Sequence, residues 1–185
     1  MNKIESDFGL SAAEKEYLKK QVEETIKARL NGASLPDDVP ESAVLKEKCG
    51  GFVTLKKRGE LRGCIGYIEA WKALYQTVRE MALAAAFDDP RFPPLAISEL
   101  PELDIEISVL TPLREIDDPE IIEVGRHGLL IRHDSSSGLL LPQVPVEYGW
   151  SREEFLAHTC MKAGLVSDCW RRSGCQLFIF SAEVF

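Results

Sequence analysis

Hydrophobic residues recur at helical spacing in three stretches of the chain. After Ser11 to Glu14, which has the form of a capping box, they return at every fourth position from Leu18 to Leu30. This spacing predicts a helix over about 11–31. A second helix is predicted from near Trp71 to Asp88, because proline at position 90 disfavours helical backbone at the residue before it. A third is predicted over 151–164, where another capping box opens the run.

Alternation with a period of two predicts the strands. Arg58-Gly59 and the segment 134–138 fit the turns of two hairpins. The predicted strands are 51–57, 61–67, 103–111, 128–133, 139–144 and 176–185. Strands and helices mix without a regular β-α-β order, so we predict an α+β fold with a mostly antiparallel sheet flanked by helices. The length fits a single domain over 1–185, or two lobes that share one core.

The composition narrows the class of protein. The 185 residues carry a net charge of -8, which disfavours a nucleic-acid-binding surface spread over the whole protein but not a local basic patch. No apolar run approaches the roughly 20 residues of a membrane span, and residues 1–7 are too acidic for a secretory leader. We therefore expect a cytoplasmic protein. The five cysteines include no C-x-x-C pair, so the spacing predicts neither a disulfide framework nor a metal site.

One predicted strand combines two glycines, an arginine and a cysteine. Strict alternation divides it into two faces, with Leu61, Ile65 and Tyr67 on one and Arg62, Cys64 and Gly66 on the other. Glycines weaken a strand, so Gly63 and Gly66 indicate a bulge or a place where another backbone or a ligand comes close. A guanidinium near a cysteine favours the reactive thiolate. The pattern therefore marks this strand as a candidate site.

The run Arg62-Gly63-Cys64-Ile65-Gly66 resembles the signature of the AMMECR domain family, also called AmmeMemoRadiSam system protein A. Four other segments resemble further blocks of that family in the same order: Asp89 to Phe92, Glu106 to Leu110, Gly138 to Val144 and Cys160 to Leu165. The likeness covers nearly the whole chain. It implies an α+β fold with a larger and a smaller lobe, and association with a Memo-type protein and a radical SAM protein. It implies no particular reaction or cofactor.

Cys64 is the central catalytic candidate. It could act as a nucleophile, or bind an electrophile or a metal, with Arg62 and the backbone amides near Gly63 and Gly66 stabilising the thiolate. The family signature adds weight because it centres on this thiol. The structural alternative is a small buried hydrophobic side chain, since free cysteines are among the most buried residues.

Two further residues are candidates for acid–base chemistry. His127 lies beside a glycine at the start of the predicted strand 128–133, where it could serve as a general base. The alternative is a turn residue. Glu106, on the polar side of strand 103–111, could face Cys64 as a base or pair with an arginine, and an ion pair that only holds the sheet explains it as well.

Arg91 and Gln143 complete the set of candidate binding residues. Arg91 lies in a proline-rich loop, and Gln143 ends the second predicted hairpin. Arginine forks match carboxylate and phosphate groups, so the expected ligand is an anionic small molecule. The leading hypothesis is therefore a small-molecule-handling protein, potentially a cysteine-dependent enzyme. The alternatives are a non-catalytic protein-interaction module and a regulator that binds nucleic acid.

Overall fold

The structure is a computed structural model, and it describes residues 9–185. The segment 1–7, considered above as a leader, lies outside the described residues. The helices are α1 (Ala12–Leu30), α2 (Leu74–Leu83), α3 (Gln143–Glu147) and α4 (Arg152–Lys162). The strands are β1 (Gly50–Lys57), β2 (Glu60–Tyr67), β3 (Leu103–Leu110), β4 (Arg114–Ile116), β5 (Gly128–His133), β6 (Ser136–Leu140), β7 (Gln176–Phe180) and β8 (Ala182–Val184). Short 3₁₀ helices and one π-helical segment lie between them, at Val44–Lys46, Ala84–Asp88, Ile97–Glu102, Pro119–Ile121 and Cys169–Arg171.

The predicted α+β class is confirmed, with two antiparallel sheets in place of one. The strand orders are β2-β1-β3-β8 and β4-β7-β5-β6. The chain divides into two compact units. The larger unit contains residues 9–110 and 183–185 of the described chain, and the smaller unit contains Thr111–Ala182. None of the helices within residues 9–185 is long and apolar enough to cross a membrane.

In the larger unit, the first helix and the first hairpin agree with the predictions. The capping box forms: the Glu14 backbone N–H donates to Ser11 Oγ (3.3 Å), and the Ser11 backbone N–H donates to Glu14 Oε2 (2.7 Å). Apolar side chains of α1, α2 and one face of the sheet form a single core. Among them Leu18, Val53 and Ile107 are fully buried. The opposite face of the sheet carries the polar side chains of the candidate site.

The second hairpin differs from its prediction. Its strands are joined at Asp134, which adopts a left-handed backbone conformation (φ 52°), so β6 begins earlier than expected. The predicted strand 139–144 therefore ends at Leu140, and Gln143 begins the short helix α3 instead of ending a strand. Pro142 explains why the strand stops and a helix begins here. Proline lacks the N–H that a sheet needs, but it fits the start of a helix.

The predicted terminal strand is two strands in different sheets. β7 pairs with β4 and β5, whereas β8 joins the sheet that contains β3. The chain changes sheet at Ser181, whose carbonyl accepts a hydrogen bond from the Thr111 backbone N–H (2.9 Å). Both strands are rich in β-branched or aromatic residues, so the local sequence pattern does not indicate that the chain changes sheet between them.

A disulfide joins Cys160 and Cys169, which the spacing of the cysteines did not predict. Their Cα atoms lie 5.9 Å apart. The chain turns back after α4 at Gly164, a left-handed position (φ 74°), and the short helix that follows brings Cys169 against the end of α4. Both cysteines belong to the core of the smaller unit. Only the tertiary path brings two cysteines nine residues apart into bonding distance.

Candidate functional site

A β-bulge interrupts strand β2 at Arg62. Gly63 pairs with Leu55 and Leu61 pairs with Lys56, so Arg62 has no partner in the register. Because directly paired residues share a face of the sheet, Leu61 lies on the same face as Cys64. The predicted alternation is therefore wrong at Leu61, which is 42% exposed, because the extra residue shifts the face of all residues before it.

The two glycines of this strand allow the close approach that the sequence indicated. A Cβ atom at Gly63 would lie 2.1 Å from the carbonyl oxygen of Ala85, in the π-helical segment that follows α2. A Cβ atom at Gly66 would lie 2.3 Å from the ring of Phe52. The small residues at these positions therefore let helix and ring pack directly against the signature strand.

The thiol of Cys64 lies on the polar face of the larger sheet. Cys64 pairs with Thr54 on β1, and its Sγ lies 3.1 Å from Thr54 Oγ1, where either atom can donate. The residue is half-buried. A hydroxyl at this distance can stabilise a thiolate by donating a hydrogen bond to it. Cys64 is therefore not sealed among aliphatic side chains, the outcome that would have removed the candidate site.

The loop after α2 holds the backbone of Cys64 through Asp89 and Arg91. Asp89 is buried, and its Oδ2 accepts a hydrogen bond from the Cys64 backbone N–H (2.9 Å). Arg91 Nη2 donates to the Cys64 carbonyl (3.1 Å). Since β2 is an edge strand, these two side chains satisfy outward-facing backbone groups that would otherwise be free to pair with another strand.

Asp89 also fixes the side chain of Arg91. Its Oδ1 accepts from Arg91 Nε (2.9 Å), and its Oδ2 accepts from Arg91 Nη2 (2.6 Å). These bonds, more than any other cause, hold the pKa of the Asp89 carboxyl well below its usual range, although burial opposes them. The Arg91 side chain is 53% exposed, and its Nη1 makes no hydrogen bond within residues 9–185. One edge of this guanidinium thus faces outward next to Cys64.

Arg62 forms a second ion pair, with Glu99. Its Nε and Nη2 each donate to Glu99, over 3.0 Å in both cases, and Nη2 also donates to the Pro93 carbonyl (3.0 Å). The Arg62 side chain is only 11% exposed. Hydrogen bonds from Arg62 are the main reason why the pKa of Glu99 falls to about 2. These contacts anchor the proline-rich loop and favour a structural role, so the binding role of Arg62 stays a prediction.

Both arginines also pack against Phe92. The guanidinium carbons of Arg62 and Arg91 lie 5.9 and 5.5 Å from the centre of its ring. Contacts of this kind contribute about 0.5–1 kcal/mol each at exposed positions. Because Phe92 belongs to the same loop as Arg91, its contact with Arg62 links this loop to β2 in addition to the hydrogen bonds.

Glu106 lies in the same cross-strand row as Cys64, but not next to it. Thr54 pairs with Cys64 on one side and with Glu106 on the other. Two strand spacings, about 10 Å, therefore separate the backbones of Cys64 and Glu106. Glu106 Oε2 is 2.8 Å from Lys56 Nζ in a partly exposed ion pair. Glu106 thus faces the side of the sheet that was expected, and its catalytic role stays a prediction.

His127 and Gln143 belong to the smaller unit. His127 is 1% exposed, and its Nδ1 accepts a hydrogen bond from the Glu123 backbone N–H (3.1 Å). Burial lowers the pKa of His127, and the guanidinium groups of Arg126 and Arg114 act in the same direction, against the Glu123 carboxylate and a backbone carbonyl. The ring is therefore neutral near pH 7. The glycine after it makes room for the ring of Phe180, since a Cβ atom at Gly128 would lie 2.2 Å from that ring.

Two other thiols, those of Cys49 and Cys175, are also free. Cys49 is fully buried, and burial raises its pKa to about 12. Cys175 is half-buried, and burial raises its pKa as well. Within residues 9–185, no three side chains of histidine, cysteine, aspartate or glutamate converge as a metal site would require.

Sequence reasoning missed the residues that position the thiol. Asp89 begins a segment that resembles a family block, and an aspartate two residues before an arginine can form the chelate seen here. Thr54 carried no signal, because its role depends on strand register. Glu99 caps the short helix Ile97–Glu102 through the Ala96 backbone N–H (3.0 Å), and the form Ala-x-x-Glu is a weak cue for that.

The fold and the site define a class: an α+β protein in which a loop ion pair holds the edge strand that carries a half-buried thiol. The chain belongs to the AMMECR1 family, whose model matches residues 19–185. It is 47% identical to Protein MK0488 of Methanopyrus kandleri, over 95% of this chain and 89% of that protein. It is 49% identical to Protein TK0174 of Thermococcus kodakarensis, over 81% of this chain and 77% of that protein.

A solved structure has the same fold. The crystal structure of uncharacterized protein PH0010 from Pyrococcus horikoshii matches with a TM-score of 0.81 at 43% identity. The match covers 91% of this chain and 89% of that one. The family assignment made from the sequence blocks is therefore confirmed. None of these names states an activity, so the function is argued from the site alone.

Proposed function

We propose that this protein handles a small anionic molecule at Cys64, with the thiol as the reacting group and Arg91 as the anion-binding group. The observation that supports this most is that Arg91 donates a hydrogen bond to the backbone carbonyl of the half-buried Cys64 while its Nη1 makes no hydrogen bond within the described residues. Asp89 holds that guanidinium in place, so little side-chain entropy is lost when a ligand binds.

The chemistry at the sulfur is nucleophilic. The thiolate attacks an electrophilic carbon, a sulfur–carbon bond forms, and the leaving group departs with the bonding electron pair. Thr54 Oγ1 can stabilise the thiolate before attack. Glu106 can take part only through Thr54 or through a substrate group, because Thr54 lies between it and Cys64 in the row.

Paired alkylating reagents test both halves of this proposal. Iodoacetate is anionic and iodoacetamide is neutral, yet both form the same kind of sulfur–carbon bond and release iodide. We expect the ratio of the iodoacetate rate to the iodoacetamide rate to be several-fold higher at Cys64 than at Cys175, read by mass spectrometry of tryptic peptides. Cys175 is the matched control, because it is also free and half-buried.

One variant and one change of conditions make the test specific. Arg91→Gln should lower the Cys64 ratio to that of Cys175, and added salt should lower it in the wild type, since the attraction is electrostatic. Equal ratios at the two thiols in the wild-type protein would contradict the proposal. If the substitution changes the accessibility of Cys64, the rates of both reagents change together, so their ratio still reports the attraction of the anionic reagent.

A protein-interaction module is the second candidate. Trp71 is 64% exposed and stacks on Tyr67, with the ring centres 5.5 Å apart, next to the end of β2. Aromatic side chains of this kind are enriched at protein interfaces. The partners would be the Memo-type and radical SAM proteins that the family resemblance implies.

Purified proteins separate the two candidates. In sedimentation experiments with a Memo-type protein, Trp71→Ala should weaken the association if the aromatic pair forms an interface. Cys64→Ser should leave the association intact while abolishing any thiol chemistry. Association that needs Cys64 but not Trp71 would favour the first candidate, and absence of association would remove the second.

A further inference from the structure

The smaller unit contains a cavity of about 130 Å³ beside His127. We propose that this cavity binds a small monocarboxylate, whose oxygens accept hydrogen bonds from His127 Nε2–H and from the Arg114 guanidinium. The proposed site uses none of the residues around Cys64, and it does not depend on the function proposed above.

The first step concerns the ring proton of His127. Nδ1 accepts a hydrogen bond from the Glu123 backbone N–H over 3.1 Å. A nitrogen of neutral imidazole that accepts a bond carries no proton, so the proton lies on Nε2. Because Nδ1 faces the Glu123 backbone, the ring edge that carries Nε2 is the one available to the cavity.

This Nε2–H group is buried and forms no hydrogen bond within residues 9–185. The Ile121 carbonyl lies close enough to the ring to raise the pKa of His127, but it does not accept a hydrogen bond from Nε2. Buried donors without a partner are rare and unfavourable, and each needs an explanation such as a bound ligand. The cavity lined by His127 is where an acceptor can reach it.

The other polar groups that line the cavity also favour an anion. Arg114 lies on β4 opposite Ile179 of β7, and its side chain has no hydrogen bond or ion pair within the described residues. Thr111 Oγ1 accepts a hydrogen bond from the Ser181 backbone N–H (2.8 Å), so its own hydroxyl proton is available to a ligand. Four side chains that can donate and no carboxylate therefore line this cavity, those of His127, Arg114, Thr111 and Ser181.

The size and the apolar wall favour a carboxylate over larger anions. Ligand pockets for drug-sized molecules measure roughly 300 Å³ or more, so a cavity of about 130 Å³ suits only a group of a few heavy atoms. Pro112, Ile179, Phe180 and Ser181 form the rest of its lining. A short aliphatic tail can pack against the first three of these side chains, whereas a phosphate has no apolar part to place there.

Nuclear magnetic resonance of the histidine side chains tests the proposal on the whole chain. The protein has three histidines, so His133 and His158 serve as internal controls for His127. Titration with acetate at constant ionic strength should shift the His127 Nε2–H signal in a saturable way. Neutral acetamide should give no saturable shift, and inorganic phosphate should bind more weakly than acetate.

Substitution of Arg114 identifies the cationic partner. Arg114→Gln should weaken acetate binding about tenfold, as expected for loss of one charged hydrogen bond. Arg172→Gln is the matched control, because Arg172 is an exposed arginine of the same unit outside the cavity. No saturable shift with acetate, an equal shift with acetamide, tighter binding of phosphate, or unchanged binding in Arg114→Gln would each overturn the proposal.

Discussion

The two units satisfy their buried polar groups in different ways. Around Cys64 in the larger unit, the buried carboxylate of Asp89 accepts four hydrogen bonds, from Cys64 and Arg91. In the smaller unit, the buried His127 uses one ring nitrogen and leaves the other without a partner in the described chain. A saturated network fixes geometry, whereas an unsatisfied donor costs stability, about 1–3 kcal/mol, until a ligand accepts from it. The comparison therefore separates a rigid support for a thiol from an open binding position.

The largest effect is expected for Asp89→Asn. This change takes a buried charged acceptor away from the Cys64 backbone N–H and from the half-exposed Arg91 guanidinium, and the loss of such hydrogen bonds costs about 3 kcal/mol. Urea unfolding measures the loss. Asp88→Asn, at the exposed neighbouring position, should change the free energy of unfolding by less than about 0.5 kcal/mol. Equal effects of the two substitutions would mean that the network around Cys64 does not stabilise the larger unit.

The stability of the smaller unit should depend on the disulfide between Cys160 and Cys169. Replacing Cys160 and Cys169 together by alanine should lower the free energy of unfolding by about 2–3 kcal/mol, because a closed loop of this length restricts the unfolded chain. The free Cys175 of the same unit provides the control, as Cys175→Ala. A reducing agent should destabilise the wild type and leave the double variant unchanged. If reduction has no effect on the wild type, the bond does not contribute to stability.

Lowering the pH should weaken the Arg62–Glu99 ion pair over a defined pH range. The pKa of Glu99 is about 2 in the folded protein, below the unfolded value near 4.3. Its contribution, about 2 kcal/mol, is thus complete above about pH 4.3 and is lost as the pH falls through 2. Glu99→Gln should therefore be less stable than wild type at pH 7 and approach it at low pH. Glu102→Gln, at a more exposed ion pair with Arg58, should show little of this difference.

The smallest and earliest pH effect should come from His127. Burial lowers its pKa in the folded state, with Arg126 and Arg114 acting in the same sense and Glu123 and the Ile121 carbonyl opposing them. The unfolded chain therefore binds a proton first, so stability is complete above about pH 6.5 and falls as the pH drops below it. His127→Gln should flatten the stability profile between pH 7 and 5. An unchanged slope would show that His127 is not a buried neutral base.

Much of the secondary structure could be predicted because its signals are local. The capping box and the four-residue spacing define α1, and Arg58-Gly59 provides the left-handed turn between β1 and β2. The predictions were wrong where the pairing of distant strands decides which face of a strand a residue occupies. The bulge at Arg62 is a property of pairing with β1, and it moves Leu61 to the other face.

The candidate site divides in the same way. The sequence identified Cys64, Arg91 and Glu106 and predicted that glycines would permit a close approach, which Gly63 does against Ala85. It did not identify Asp89 as the residue that holds both Cys64 and Arg91. A contact between residues 25 positions apart depends on where the loop after α2 returns to the sheet.

The sequence alone therefore determined the family, the α+β class and the position of the thiol strand, because these follow from short patterns that do not depend on distant partners. The tertiary structure decided which groups find partners. It formed the Asp89 network and the Cys160–Cys169 bond, and it left Nε2 of His127 without a hydrogen bond within residues 9–185. Each of these depends on the path by which distant segments meet. Burial, strand register and hydrogen-bond partners exist only after that path is fixed.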